Sequence, residues 1–494
     1  MRPAGSTSDA APAREEHPAV VSLVLLAIWA VLTMLQIGLL PPLRYQWGVN
    51  FWQYLPGWTV PVLALLALAP CVPSVRAALV VAAQRTGTVL ARPLPFAVLL
   101  VATMVVCWLL RERQLFGDSA LLTYAVGSGW YFVFPDIGAS FLMRSAIRWA
   151  RLVPMPPVAA AQLVSCVAAP LFLYFLVRAA RVLAPQRTVL AVLFLVSGGM
   201  LRVFTGHVEV YAPLLVAVAL FLWRSFEYLE GRGGWVSPSV AAGLAIWLHL
   251  SGLFLLPSLL WLHWTVMGDV REAVRRFVWS VALAALPGVL FLVALFVVSA
   301  HADLARGWQI ANEMLGNSAD EHARRWWVRL PGGAPSAGTD YVLLSIPHVK
   351  YLANALWVLA PAALPVVLGL LVTAPRRLVA TPAARFVASC VAPLVIYTLA
   401  VRPMWGPFDW DLFAMTALLL AVLALCGLDA TLPSPDRSAS IAALVAFQLL
   451  FVGAPFVAMG VLSSGAAGPF EQRLFHPSMA DTGRTPMGEV IPWL

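Results

Sequence analysis

Runs of apolar residues long enough to cross a lipid bilayer recur along almost the whole of this chain, each closed by a short polar stretch. A crossing helix needs about 20 such residues. Thirteen segments qualify: 19–40, 56–73, 94–110, 157–178, 188–204, 211–228, 235–250, 252–268, 278–299, 351–373, 380–401, 412–428 and 438–462. The pair 235–250 and 252–268 has almost no loop between its members, so the count runs from eleven to thirteen. The stretch 74–92 is only mildly apolar and carries Arg76, Arg85 and Arg92, which predicts a helix lying in the interface. The pattern as a whole predicts an all-α, polytopic integral membrane protein.

Orientation follows from arginine in the short loops. With the N-terminus inside, the inner loops hold Arg76, Arg85 and Arg92, then Arg178, Arg181 and Arg187, then Arg271, Arg275 and Arg276, then Arg376, Arg377 and Arg385. The short outer loops hold one each: Arg44, Arg202 and Arg402. This divides the chain into a polar inner N-terminus (1–18), N-terminal membrane helices (19–93), a main membrane domain (94–462) and an outer tail (463–494). The long outer loops are 111–156 and 300–350.

Composition agrees with lipid as the solvent. Of the 494 residues, 61% are hydrophobic and 11% charged, where a soluble protein carries about a quarter charged. The net charge of +9 does not mean nucleic acid, because the arginines are spread over many short loops. Lys350 is the one lysine among the 32 basic residues. The five cysteines lie within or at the ends of apolar segments and read as packing residues. No phosphate-binding loop, GxGxxG, HExxH or GxSxG pattern is present.

The polar residues most out of place all fall at outer ends of spans. RERQLFGDSALL (111–122) closes the third span and contains Asp118, which could bear chemistry or simply cap the surface helix after it. GHVEVY (206–211) puts His207 and Glu209 two apart in a very short turn, where a carboxylate can orient an imidazole or take its proton. RPMWGPFDWDLFA (402–414) crowds Arg402, Asp409 and Asp411 among Trp405, Phe408 and Trp410. Loop 300–350 brings Arg306, Arg324, Arg325 and Arg329 together with Trp308, Trp326 and Trp327, a mixture suited to a lipid phosphate. His249 and His263 lie in the short paired spans and read as hydrogen-bonded packing.

These residues resemble the GT-C superfamily, polytopic glycosyltransferases that use polyprenyl-phosphate sugars. The resemblance rests on Gly117-Asp118 in the first long outer loop, on GHVEVY at the start of a later span, and on DWDLFA at 409–414. GHVEVY in particular is similar to bacterial relatives of the protein-mannosyltransferase and lipid-linked sugar transferase groups. Span count and alternation match over about 94–462. The chain departs from the family in its two preceding spans, in GD instead of paired acids, and in Val328 after Trp326-Trp327. Transfer of one sugar is therefore expected, rather than of a whole oligosaccharide.

The resemblance implies a hexosyl transfer, inverting, from a polyprenyl-phosphate-linked sugar to an acceptor hydroxyl at the outer face of a bacterial inner membrane. It implies Asp118 as the catalytic base, with Asp136 of FPD as the rival. It implies Arg402 with Arg324 or Arg325 on the donor phosphate, and His207, Glu209, Asp409 and Asp411 positioning sugar or base. Expected partners are the lipid-linked donor, membrane lipid and a glycan, lipid or protein acceptor, with no nucleic acid. No metal ligand is assigned; use of a divalent metal stays open. The rival readings are a transporter or flippase of a lipid-linked saccharide, and a polymerase or ligase of the O-antigen type.

Overall fold

The structure, a computed structural model, describes residues 18–37, 39, 49, 51–113, 119, 122–123, 136–298, 327–328, 331, 342–403 and 406–462. Among these every regular element is a helix, and one antiparallel bridge pairs Trp327 with Val401. Apolar runs decide where helices form, and proline decides where many begin: Pro73, Pro93, Pro157 and Pro382 each open one. The first-turn N–H has no helical partner, so proline loses nothing there. Pro170, Pro287 and Pro393 lie inside helices, which a membrane bundle tolerates because neighbours re-satisfy the freed carbonyls.

Among the described residues, seven helices are long and apolar enough to cross a membrane: Pro157–Leu183, Tyr211–Leu229, Leu250–Met267, Val270–Ala294, Pro382–Ala400, Asp409–Thr431 and Asp436–Val461. The remaining predicted segments are helical too, but short or bent. Val21–Gln36, Pro93–Leu109, Pro185–Val196 and Val236–Leu248 are the shorter apolar helices. Thr59–Cys71 passes into Pro73–Leu90 through an 87° bend, and Ile346–Leu359 into Ala363–Thr373 through one of 114°. The first bend swings the predicted interfacial stretch across the helix before it. The second divides the predicted straight span 351–373 at Ala360–Ala362. Counting each bent pair as one span gives nine.

Asp409–Thr431 is the axis of the bundle, with every side chain from Ala414 to Leu428 buried. It packs on Pro382–Ala400 and Ala363–Thr373, while Tyr211–Leu229 packs on Pro157–Leu183 and Val236–Leu248. Val270–Ala294 is apolar yet exposed along most of its length, including Val278, Trp279 and Leu290. Its buried face is narrow, with Ala273, Ser280 and Ala284 against neighbouring helices, and the wide apolar remainder suits lipid.

The N-terminal helix is tied to the last one. A π-helical turn at Leu449–Gly453 frees carbonyls from the ordinary helical ladder. The Leu450 carbonyl accepts from Trp52 Nε1 at 3.0 Å and the Phe451 carbonyl from Gln36 Nε2 at 2.9 Å. Phe51 packs on Phe456 with ring centres 5.0 Å apart, just behind the site described below.

Asp429 pairs with Arg187 at 2.9 Å and Arg437 at 3.7 Å, and Arg377 donates to the Thr431 carbonyl at 3.2 Å. All five residues fall in or beside predicted inner loops. Glu112, His207 and Asp411, from three predicted outer segments, meet one another in the site described below.

Candidate active site

The segment leaving Pro93–Leu109 is pinned before it can reach solvent. The Glu112 N–H donates to the Thr205 carbonyl (2.9 Å) and the Arg113 N–H to the Gly460 carbonyl (2.8 Å). Gln162 Nε2 donates to the Glu112 carbonyl at 2.7 Å. Three separate elements thus satisfy this backbone, and the Glu112 side chain turns inward. Its Oε1 lies 2.6 Å from Arg202 Nη2 and its Oε2 lies 2.7 Å from His207 Nδ1. Arg202 also lies over the Phe456 ring at 4.4 Å.

The 205–210 turn reaches Glu112 through Gly206. Its φ is +68°, and a Cβ there would sit 2.5 Å from Arg111 Cβ. Only glycine supplies both the left-handed backbone and the close approach without strain. The turn delivers His207 between two acids: Nε2 lies 3.1 Å from Asp411 Oδ2. Asp411 comes from the 3-10 segment Gly406–Phe413, where the Asp409 carbonyl accepts from Tyr351 at 3.2 Å. Trp410 closes the group, its ring 5.2 Å from His207 and 4.8 Å from Phe456.

Both ring nitrogens of His207 face carboxylate oxygens, an arrangement that favours the imidazolium, in which both donate. Burial opposes that charge, but Glu112, then the hydrogen bonds to Asp411 and Glu112, outweigh it and lift His207 from 6.5 to about 9. Burial likewise opposes the Glu112 charge. Arg202 and His207 outweigh it and hold the carboxyl below its ordinary 4.5. Charges this deep persist only when paired and hydrogen-bonded.

A second pair adjoins this group. His249 Nε2 lies 3.0 Å from Asp136 Oδ1, and the His249 ring packs on Tyr211 at 5.3 Å. His249, expected as hydrogen-bonded packing, is buried and accepts the Ser251 N–H on Nδ1 at 3.0 Å, with Asp136 on its other side. His263 does serve packing, 2.7 Å from the Ser280 hydroxyl.

Of the predicted site residues, the structure brings His207 and Asp411 together, with Glu209 beside them. The GHVEVY turn is buried throughout rather than lying at a wet boundary. Arg402 is buried, next to Val401, which bridges to Trp327. Asp409 is half-buried. Asp118, Arg324 and Arg325 lie outside the described residues. Arg202, read as a loop charge, is 1% exposed and serves as the counter-ion of Glu112. Glu112 itself was passed over. Its signal was an acid two residues past an apolar run, disguised by Arg111 and Arg113 as a solvated loop.

Ligand oxygens of Glu209 and Asp411 and one nitrogen of His207 lie within 4.8 Å of one another. An imidazole and two carboxylates suit a divalent cation. His207 Nε2, however, faces Asp411 at 3.1 Å, and in the imidazolium it carries a proton and has no lone pair to give a metal. A cation would have to displace that proton, so these three residues hold one or the other.

No protein-family model and no curated protein sequence matches the chain. Two solved structures are similar to it. One is ArnT from Cupriavidus metallidurans bound to undecaprenyl phosphate, 16% identical over 76% of this chain and 79% of that one, TM-score 0.47. The other is the same protein in the apo state, 15% identical over 78% and 79%, TM-score 0.46.

Proposed function

We propose that the chain is a membrane glycosyltransferase that moves a single hexose from a polyprenyl-phosphate donor to an acceptor hydroxyl at the outer membrane face, with inversion. The observation that carries this reading is the meeting of acids from four distant segments at one end of an apolar bundle. Glu112, Asp136, Glu209 and Asp411 come with two imidazoles and Arg202, and Asp136 is partly open to solvent. Such a site can hold a polar sugar and take a proton while its lipid tail stays among the helices.

The roles divide by burial. Glu112, Arg202 and His207 are sealed, so they hold the turn and the 406–413 segment in register. A base must touch the acceptor, which falls to a first-loop acid, Asp118 or Asp136. One base suffices, because a phosphate leaves without a general acid. Arg402, with Arg324 or Arg325, would bind that phosphate; a guanidinium can give it two parallel hydrogen bonds, which lysine cannot.

The test is sugar transfer by the purified protein, with a polyprenyl-phosphate sugar beside the matching nucleotide sugar. Turnover of the lipid donor alone is expected. Activity with the nucleotide sugar alone, in lipid-free detergent, would refute the donor class. Movement of intact lipid-linked saccharide across vesicles without transfer would favour the flippase reading.

A further inference from the structure

Among the described residues four tyrosines are buried: Tyr211, Tyr228, Tyr351 and Tyr397. A buried phenol usually finds a hydrogen-bond partner, because sealing a hydroxyl without one costs its desolvation. Two of the four follow this rule. The Tyr228 hydroxyl accepts from Arg276 Nη1 at 3.2 Å, and that of Tyr351 donates to the Asp409 carbonyl at 3.2 Å. The hydroxyls of Tyr211 and Tyr397 bond to no described residue, although the two residues are only 8% and 7% exposed. Unlike the indole nitrogens of Trp223 and Trp247, neither is a sealed atom without a partner. Each therefore opens on space that a polar group can enter.

Sequence and packing put both at the site. Tyr211 opens Tyr211–Leu229, directly after the turn that carries His207 and Glu209, and its ring packs on His249 at 5.3 Å. Tyr397 stands in the last turn of Pro382–Ala400, its ring held by Phe254 at 5.1 Å and by Phe413 at 6.4 Å. Phe413 closes the segment that supplies Asp409 and Asp411. Tyr211 lies within electrostatic reach of Tyr397, Asp411, Asp136 and Glu209, and Tyr397 within reach of Asp136, Asp409 and Asp411. The charged groups that act most strongly on the two hydroxyls are thus carboxylates, which only accept hydrogen bonds. The two nitrogens of His207 already face Glu112 and Asp411. Donation to the lone pairs of a ligand between these acids falls to the two phenols.

We infer that Tyr211 and Tyr397 bind the sugar of the donor, giving hydrogen bonds to its hydroxyl oxygens while the carboxylates around them accept its O–H groups. The inference rests on the transferase reading above. A sugar hydroxyl carries one donor and two acceptor positions, so a site that holds it needs partners of both kinds. Phenols set among carboxylates supply both. The same set turns away a negative sugar, since the carboxylate of a uronic acid would meet like charges. The site thus selects a sugar without negative charge.

The test uses the full chain in lipid nanodiscs. The probes are polyprenyl-phosphate glucose, galactose and mannose, the glucuronic acid counterpart, and polyprenyl phosphate alone. Tyr211→Phe and Tyr397→Phe keep each ring and remove its hydroxyl. Each should weaken binding of the neutral donor that the wild type holds tightest by about tenfold, as loss of one hydrogen bond does. Affinity for polyprenyl phosphate alone should not change, which a damaged fold would not allow. The glucuronic acid donor should bind about tenfold or more weakly than its glucose counterpart. In ultraviolet resonance Raman spectra, the tyrosine bands that report phenol hydrogen bonding should shift with the neutral donor and not with polyprenyl phosphate. That shift should vanish in the double Phe variant. Full donor affinity in both Phe variants, or an equal loss of affinity for polyprenyl phosphate alone, overturns the sugar-binding role. Equal binding of the glucose and glucuronic acid donors overturns the charge selection. In transfer assays each Phe variant should raise the donor KM about tenfold and leave the acceptor KM as it is. Absence of transfer by the wild type would remove the transferase reading, while binding and Raman shifts would still decide what the two tyrosines hold.

Discussion

Glu112 and His207 lie 95 positions apart in the chain, and their side chains meet at 2.7 Å with each about 1% exposed. The contact closes a line of charge from Arg202 through Glu112 and His207 to Asp411. It joins the end of one apolar helix, the turn before Tyr211–Leu229 and the entry to the central helix. Whatever occupies the open part of the site is shaped by three loops fixed at this point.

Removing one charge from that line leaves its partners buried and unbalanced. Glu112→Gln should cost about 3–5 kcal/mol, the range for breaking a buried pair. Thermal unfolding in detergent, beside the doubly replaced Glu112→Gln/Arg202→Met, measures it. The double variant should recover part of the loss. A melting temperature unchanged in Glu112→Gln would mean that the line does not stabilise the fold.

Stability should also depend on pH in a defined window. The His207 imidazole binds its proton more tightly in the folded protein than free, so its contribution is complete below about 6.5 and is lost as pH rises through about 9. Glu112 works the other way: its contribution is present above 4.5 and is lost as pH falls below it. Melting temperatures from pH 6 to 10 should decline for the wild type and stay flat for His207→Gln. Parallel curves for the two would remove the imidazolium assignment.

Gly206→Ala should destabilise the protein by about 1–3 kcal/mol, the cost of a non-glycine residue in left-handed backbone. The added Cβ also meets Arg111 Cβ at 2.5 Å. Turnover should fall more than stability does, since the turn carries His207. Gly231 also has a positive φ, +68°, but faces open space and bears no site residue. Gly231→Ala is the control, and its turnover should not change.

Among the first-loop acids, Asp118→Asn should lower turnover about 10²-fold or more, as loss of a general base does. Asp136→Asn should do much less, and neither should alter expression. The reverse order of effects would make Asp136 the base.

Topology can be read with an impermeant thiol reagent, because four native cysteines are buried and Cys107 is half-buried. Leu152→Cys and Ile346→Cys are exposed positions in or beside the predicted outer loops. They should label from outside on intact cells. Arg232→Cys and Arg376→Cys, exposed on predicted inner loops, should label only after lysis. Labelling of the second pair instead would turn the site to the inner face.

The sequence by itself determined the solvent and the elements. Apolar run length is a local property that lipid selects directly, so each of the thirteen segments contains helix among the described residues, though seven are long enough to cross, or nine with each bent pair as one. It also located four of the site's members: His207, Glu209, Asp411 and Asp136 stood out because an ionisable group beside an apolar run is conspicuous. Only the tertiary structure decided which charges are paired. Arg202 and Arg402 look alike as loop arginines, and nothing nearby in the chain announces that Arg202 is sealed against Glu112, 90 positions earlier. The bends at Cys71–Pro73 and Ala360–Ala362 were equally hidden. The second lies beside a close backbone approach, of Gly198 and Gly199 to the Leu359 and Val358 carbonyls. Hydropathy records how well a segment suits lipid. The pairing of buried charges depends on which loop ends packing brings within about 3 Å, and that is settled by the whole bundle.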